Sequence, residues 1–163
     1  MDAPTPAEVL SVAVDGESMP ADLYLPTAGT GPGVVLYQEI FGVTGYIRSR
    51  AQDLADLGYV VLVPHLYWRL GDPVLAEGGQ GLPRALELVS QVNWDRTVGD
   101  GHAALDALRA RPEVDGPVGV LGFCFGGGLA FAVAARALSS GAAPDALVSY
   151  YGSALPQLLD LAP

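Results

Sequence analysis

The sequence predicts an α/β fold: a mostly parallel sheet with helices on both faces. Three observations carry this prediction. Short, mostly apolar runs at residues 33–37, 59–63, 118–121 and 146–150 have the composition of strands buried on both faces. Helix-like segments separate them, so strand and helix alternate as in βαβ units. The chain has 163 residues, half of them apolar and 16% charged, which is enough for one globular core.

The elements follow in order. Residues 9–14 and 21–25 are short strand candidates around Asp15-Gly16, a turn signal. Residues 26–32, rich in Gly, Thr and Pro, form a loop, and 33–37 is the first buried strand. Residues 44–57 are helical, with apolar Ile47, Ala51, Leu54, Ala55 and Leu57, and Gly58 stops the helix. Strand 59–63 ends at Pro64. Residues 70–82 are glycine-rich and are expected to form a long surface loop near the site. Residues 83–91 and 96–111 are helical, the second ended by Pro112. Strand 118–121, helix 125–138 and strand 146–150 complete the pattern, followed by Gly152 and a short apolar tail. No repeat, low-complexity tract or internal linker divides the chain, so residues 1–163 are expected to form a single domain.

Composition excludes several functions. Eighteen acidic side chains against eight basic ones give a formal charge of −10, and no lysine is present. Nucleic acid is not an expected partner, because phosphate neutralisation needs clustered Lys and Arg. No run approaches the ~18 apolar residues that a membrane span needs, so no membrane association is expected. The N-terminus lacks a charged-then-apolar leader pattern, and a single cysteine suits a reducing compartment. A cytoplasmic protein is therefore expected. One cysteine and two separated histidines make no metal cluster, and no cofactor motif is found.

The most informative segment is Gly122-Phe123-Cys124-Phe125-Gly126-Gly127-Gly128, directly after the apolar run 118–121. It has the form of a nucleophile elbow with Cys in place of Ser. A strand enters a sharp turn, a helix leaves it, and the apex residue adopts a strained backbone conformation. Its neighbours two positions away must be small, and Gly122 and Gly126 meet that need. A helix N-terminus lowers a thiol pKa, and its free N–H groups can hold a developing oxyanion. A lone cysteine is more commonly a small buried hydrophobe, and that reading stands beside this one. The spacing of a dinucleotide-binding loop and the lysine of a phosphate-binding loop are both missing.

Other segments agree with the elbow. They are Tyr37-Gln38-Glu39-Ile40-Phe41-Gly42-Val43 after a buried strand, Pro64-His65-Leu66-Tyr67 after the next, Val98-Gly99-Asp100 opening a helix, and Ser149-Tyr150-Tyr151-Gly152. With the elbow, and in this order from about residue 9 to residue 152, they resemble the dienelactone hydrolase family of the α/β-hydrolase superfamily. The resemblance implies Cys124 as nucleophile and Glu39 as the carboxylate that holds the resting thiol and takes its proton. It implies the Ile40 and Phe125 N–H groups as oxyanion donors, each contributing roughly 3 kcal/mol. Read from its neighbours alone, Glu39 is more simply a surface carboxylate at a strand end.

The pattern is incomplete. Family members place an acid and a histidine after later strands, in the order nucleophile, Asp, His. Only His65 and His102 are present here, and Asp160 follows Gly152 too closely. His65 is expected to be structural or loop-capping and His102 to lie on the solvent side of its helix, so neither is expected to be the catalytic base. A chain cut short on its C-terminal side is therefore expected, one lacking the C-terminal strands of the α/β-hydrolase fold. Its catalytic His and Asp would lie beyond Pro163, and it would be weakly active or inactive alone. The edge strand 146–150 would then be uncovered and prone to self-association. Arg84, Phe41, Tyr67 and Trp68 are substrate-binding candidates, and Arg69 is read as structural. The expected activity is hydrolysis of small carboxylic esters or lactones through a cysteinyl acyl-enzyme. A thioesterase or acyltransferase on the same elbow, and a catalytically incompetent α/β fragment or interaction module, are the alternatives.

Overall fold

The computed structural model describes residues 3–161. Six strands form one sheet: β1 (Glu8–Val14), β2 (Glu17–Tyr24), β3 (Gly31–Tyr37), β4 (Val60–Pro64), β5 (Val114–Phe123) and β6 (Leu147–Tyr150). Their spatial order is β1-β2-β4-β3-β5-β6. β1 and β2 pair antiparallel, as do β2 and β4; the remaining neighbours are parallel. Asp15 (φ 51°) and Gly16 (φ 82°) form the tight turn of the first hairpin, both in the left-handed region that such turns demand. The helices are α1 (Gly45–Asp56), α2 (Leu82–Val89), α3 (Trp94–Arg109), α4 (Phe125–Ser139) and the single turn α5 (Leu155–Leu158). The mostly parallel sheet with helices on both faces is as expected.

Connection handedness places the helices. From β3 the chain steps one way along the sheet to β4, through α1. It then steps back over β3 to β5 and on to β6, through α3 and α4. Right-handed crossovers in opposite directions leave helices on opposite faces. The core divides accordingly. Val35, Tyr37, Val60, Leu62, Leu105, Leu108, Leu129 and Val133 form one cluster under α3 and α4. Leu36, Val61, Val63, Ile47, Ala51 and Ala55 form the other under α1. Successive residues of β3 and β4 alternate between the two, the two-residue period of a strand covered on both faces.

Several elements run longer than the sequence suggests. β2 begins at Glu17 because the hairpin carries its pairing to Glu17↔Val14. β5 begins at Val114, where pairing with Gly31 crosses a register shift before resuming at Gly33↔Val118. α3 begins at Trp94 because the Asn93 side chain caps it, accepting from the Arg96 N–H at 3.0 Å. Val98-Gly99-Asp100 therefore lies in the second turn and does not open the helix. The apolar tail forms α5 and a 3₁₀ turn, Leu159–Leu161, with no buried side chain.

Candidate active site

β3 has β4 on one side and β5 on the other, so the chain departs in opposite directions from adjacent carboxyl ends. That is where open α/β sheets leave a crevice for ligands. The turn after β3 carries Glu39 and Ile40, and the end of β5 carries Cys124.

Cys124 stands alone between β5 and α4 at φ 53°, ψ −115°, a conformation that non-glycine residues adopt only under constraint. The constraint is visible on both sides. Its N–H donates to the Tyr150 carbonyl at 3.0 Å, and its own carbonyl accepts from Gly127, Gly128 and Ser153. Small neighbours are required: a Cβ on Gly122 would sit 1.9 Å from the Gly126 carbonyl oxygen, and one on Gly126 would sit 2.4 Å from that of Tyr37. The expected elbow is present. The sulfur lies at the N-terminus of α4, against the Phe125 N–H. Burial pushes the Cys124 thiol up, the Phe125 N–H pulls it down, and the Glu39 charge pushes it up again. The first and third effects win, so the resting group is a thiol.

Glu39 is held differently from the expectation. Among the described residues no hydrogen bond joins it to Cys124; its Oε1 accepts from the Tyr151 hydroxyl at 2.7 Å. Tyr151 is a site residue the sequence reading missed as such. Its φ of 38° is one sign that its position is imposed. Burial and the Glu39 carboxylate both raise its pKa, so it stays a donor over the ordinary pH range.

The two candidate oxyanion donors are linked. Ile40 N–H makes no backbone hydrogen bond among the described residues, and Phe125, first in α4, has no acceptor within its helix. Tyr67 is fully buried beneath both. Its hydroxyl donates to the Ile40 carbonyl at 3.0 Å, and its ring packs 6.3 Å from that of Phe125. Tyr67 thus supports the site from below; being fully buried, it offers no surface to a substrate.

The other candidates separate. Arg84 lies on α2, its side chain 58% exposed and paired with Glu87, and no contact brings it to the elbow. Trp68 donates its indole N–H to Asp100 at 3.0 Å and stacks under the Arg69 guanidinium, which pairs with the same carboxylate. This fits Arg69 as a structural residue and commits Trp68 to that cluster. Phe41 is half-buried on the Glu39–Gly42 turn, its carbonyl accepting from the Leu75 N–H at 2.9 Å. The 70–82 loop does lie over this turn, as expected.

Neither histidine reaches Cys124. His65 is 9% exposed, with Nδ1 2.6 Å from Asp72 Oδ2 and Nε2 3.1 Å from Asp22 Oδ1. Its expected structural role holds. His102 is in the middle of α3, its side chain only 18% exposed and 3.9 Å from Asp106, so it is not on an open solvent face. Asp160 lies in the exposed 3₁₀ turn. No metal-binding cluster of His, Cys, Asp or Glu occurs among the described residues. No helix among them is long and apolar enough to cross a membrane.

A model of the dienelactone hydrolase family matches residues 19–163. Carboxymethylenebutenolidase 1 of Cupriavidus pinatubonensis is 37% identical over 140 residues, covering 85% of this chain and 58% of that protein. A carboxymethylenebutenolidase of Pseudomonas putida is 34% identical over 151 residues, covering 91% and 62%. A crystal structure of a putative dienelactone hydrolase from Klebsiella pneumoniae superposes with a TM-score of 0.72 at 32% identity, covering 89% and 59%. The chain spans about three fifths of the length of these three relatives.

Proposed function

The chain belongs to the dienelactone hydrolase family, and from that premise we propose that it supplies the nucleophile and oxyanion-binding half of a hydrolase for small carboxylic esters or lactones. The observation that carries the proposal is Cys124, strained at the apex of the elbow, with the Phe125 N–H on its sulfur and Glu39 near enough to raise it.

In the proposed sequence the thiol proton passes to Glu39 as Sγ attacks the carbonyl carbon. The carbonyl oxygen takes up the electron pair and is held by the Ile40 and Phe125 N–H groups. Collapse expels the alkoxide, which takes the proton from Glu39 and leaves as the alcohol, or remains tethered as a hydroxyl if the substrate is a lactone. Water then cleaves the thioester, and this step needs a base. His65 is committed to two carboxylates and His102 lies in α3 beside Asp106, so we assign the base histidine and its acid to chain outside residues 1–163. Residues 1–163 alone should acylate readily and turn over weakly. We place the protein in the cytoplasm, given one unpaired cysteine. We also expect self-association through β6, an edge strand with Leu147, Val148 and Tyr150 exposed.

The test uses p-nitrophenyl acetate and a dienelactone with wild type, Cys124→Ser and Cys124→Ala. Wild type should release a burst of nitrophenol and retain the acetyl group on Cys124, located by peptide mass. An unchanged burst in the alanine variant would refute the nucleophile.

A further inference from the structure

Behind the site lies a charged cluster that the proposed reaction does not use. His65 follows β4 directly and is buried between two carboxylates, with Asp72 on Nδ1 and Asp22 on Nε2. Asp22, 1% exposed, is also paired with Arg48 of α1 at 2.6 Å. Asp22 and Asp72 are the charged side chains against the imidazole; Arg48 of α1, and Tyr24 two residues along β2, stand against Asp22.

What hangs from Asp72 makes this more than a core ion pair. Gly71 (φ 86°) and Asp72 (φ 51°) are both left-handed, and this bend directs the 71–81 segment onto the Glu39–Gly42 turn. There the Pro73 carbonyl presses on Gly42, where a Cβ would meet it at 2.6 Å. The Leu75 N–H donates to the Phe41 carbonyl at 2.9 Å, and Glu77 accepts from the Tyr46 N–H at 3.3 Å. One side of that turn is thus covered by a segment whose only ionic anchor among the described residues is Asp72.

We propose that His65 is a positioning residue: bridging Asp22 and Asp72, it fastens the 71–81 segment over the Glu39–Gly42 turn and so fixes the direction of the Ile40 N–H. The inference rests on the reading of Ile40 as an oxyanion donor, but its test does not. Burial alone would lower the His65 pKa; the two carboxylates outweigh it and raise it to about 9. The bridge is therefore charged at neutral pH and released above about 9. Tyr24 is held above its ordinary value by burial and Asp22, so it does not titrate in that interval.

The decisive variant is Asp72→Asn. Asn accepts a left-handed backbone as readily as Asp, so only the charge is removed. Deuterium uptake at pH 7 would be followed in peptides covering residues 39–46 and 71–81. Subtilisin nicking within 71–81 would be followed from pH 7 to pH 10, normalised to an unstructured peptide. Asp72→Asn and His65→Gln should exchange about tenfold faster in both segments, with peptides from β3 and β4 unchanged. Wild type should show a rise in nicking centred near pH 9 that Asp72→Asn lacks, a step that a merely space-filling residue would not produce. Wild-type protection in Asp72→Asn, or a flat wild-type profile, overturns the clamp. A loosened 71–81 segment over an unchanged 39–46 segment overturns its link to Ile40. An intact clamp in a chain that never acylates Cys124 would instead count against the hydrolase reading alone.

Discussion

Gly126→Ala puts the elbow to the sharpest test. A Cβ at Gly126 would stand 2.4 Å from the Tyr37 carbonyl oxygen and 2.5 Å from that of Gln38. An ordinary carbon–oxygen contact is about 3.3 Å, so strand end or helix start must recede by ~1 Å. Neither can do so cheaply. Tyr37 ends a central strand paired with Gly122, and the helix start is tied through Cys124 to Tyr150 and Ser153. Overpacking against adjustable side chains costs ~1–3 kcal/mol; here both obstacles are backbone, so a loss of ~3 kcal/mol or more is expected. The ordinary helical preference of Ala over Gly, ~1 kcal/mol, is far too small to offset that. Gly99→Ala is the matched control. It lies in α3 with only an Arg136 nitrogen at 3.7 Å from the added carbon, so it should stabilise by roughly 0.5–1 kcal/mol. Urea unfolding followed by circular dichroism reads both. The steric reasoning fails if Gly126→Ala unfolds at the wild-type midpoint.

Two further outcomes are expected. The raised His65 pKa contributes stability that is fully present below the unfolded value of ~6.5 and is lost as pH rises through about 9. At ~1.4 kcal/mol per pH unit this amounts to at most ~3.5 kcal/mol, seen as a falling urea midpoint from pH 6.5 to 9.5 that His65→Gln abolishes. Cys124 alkylation by iodoacetamide should accelerate only above the ordinary thiol range, because burial and Glu39 both hold the thiol up. Glu39→Gln removes one of those causes and should move the alkylation profile to lower pH; a shift to higher pH would contradict the assigned coupling.

How far the sequence spoke for itself follows from how local each cause is. The elbow was legible because its steric demand falls on Gly122 and Gly126, two positions either side of Cys124. The strands were legible because 33–37 and 59–63 are buried on both faces and carry no polar interruption. The start of α3 could have been found as well, since Asn93 is a capping residue three positions before Arg96. The pairing of Tyr151 with Glu39 could not, because 112 residues separate them and no spacing rule joins them. The same holds for Asp22. Its cationic partners, Arg48 and His65, come from later elements that no spacing rule joins to β2. Trp68 and Tyr67 were expected to bind substrate, but their polar atoms turn inward to Asp100 and Ile40.

Tyr67 has one further consequence. Because a single buried phenol supports both the turn after β3 and the first residue of α4, the two amides cannot drift independently. On the proposed reaction, damage there would spoil the shape offered to a tetrahedral carbon, and by shifting the Phe125 N–H it would also remove the one contact that pulls the thiol down. One lesion beneath the sheet end would thus reach sulfur and oxyanion site together.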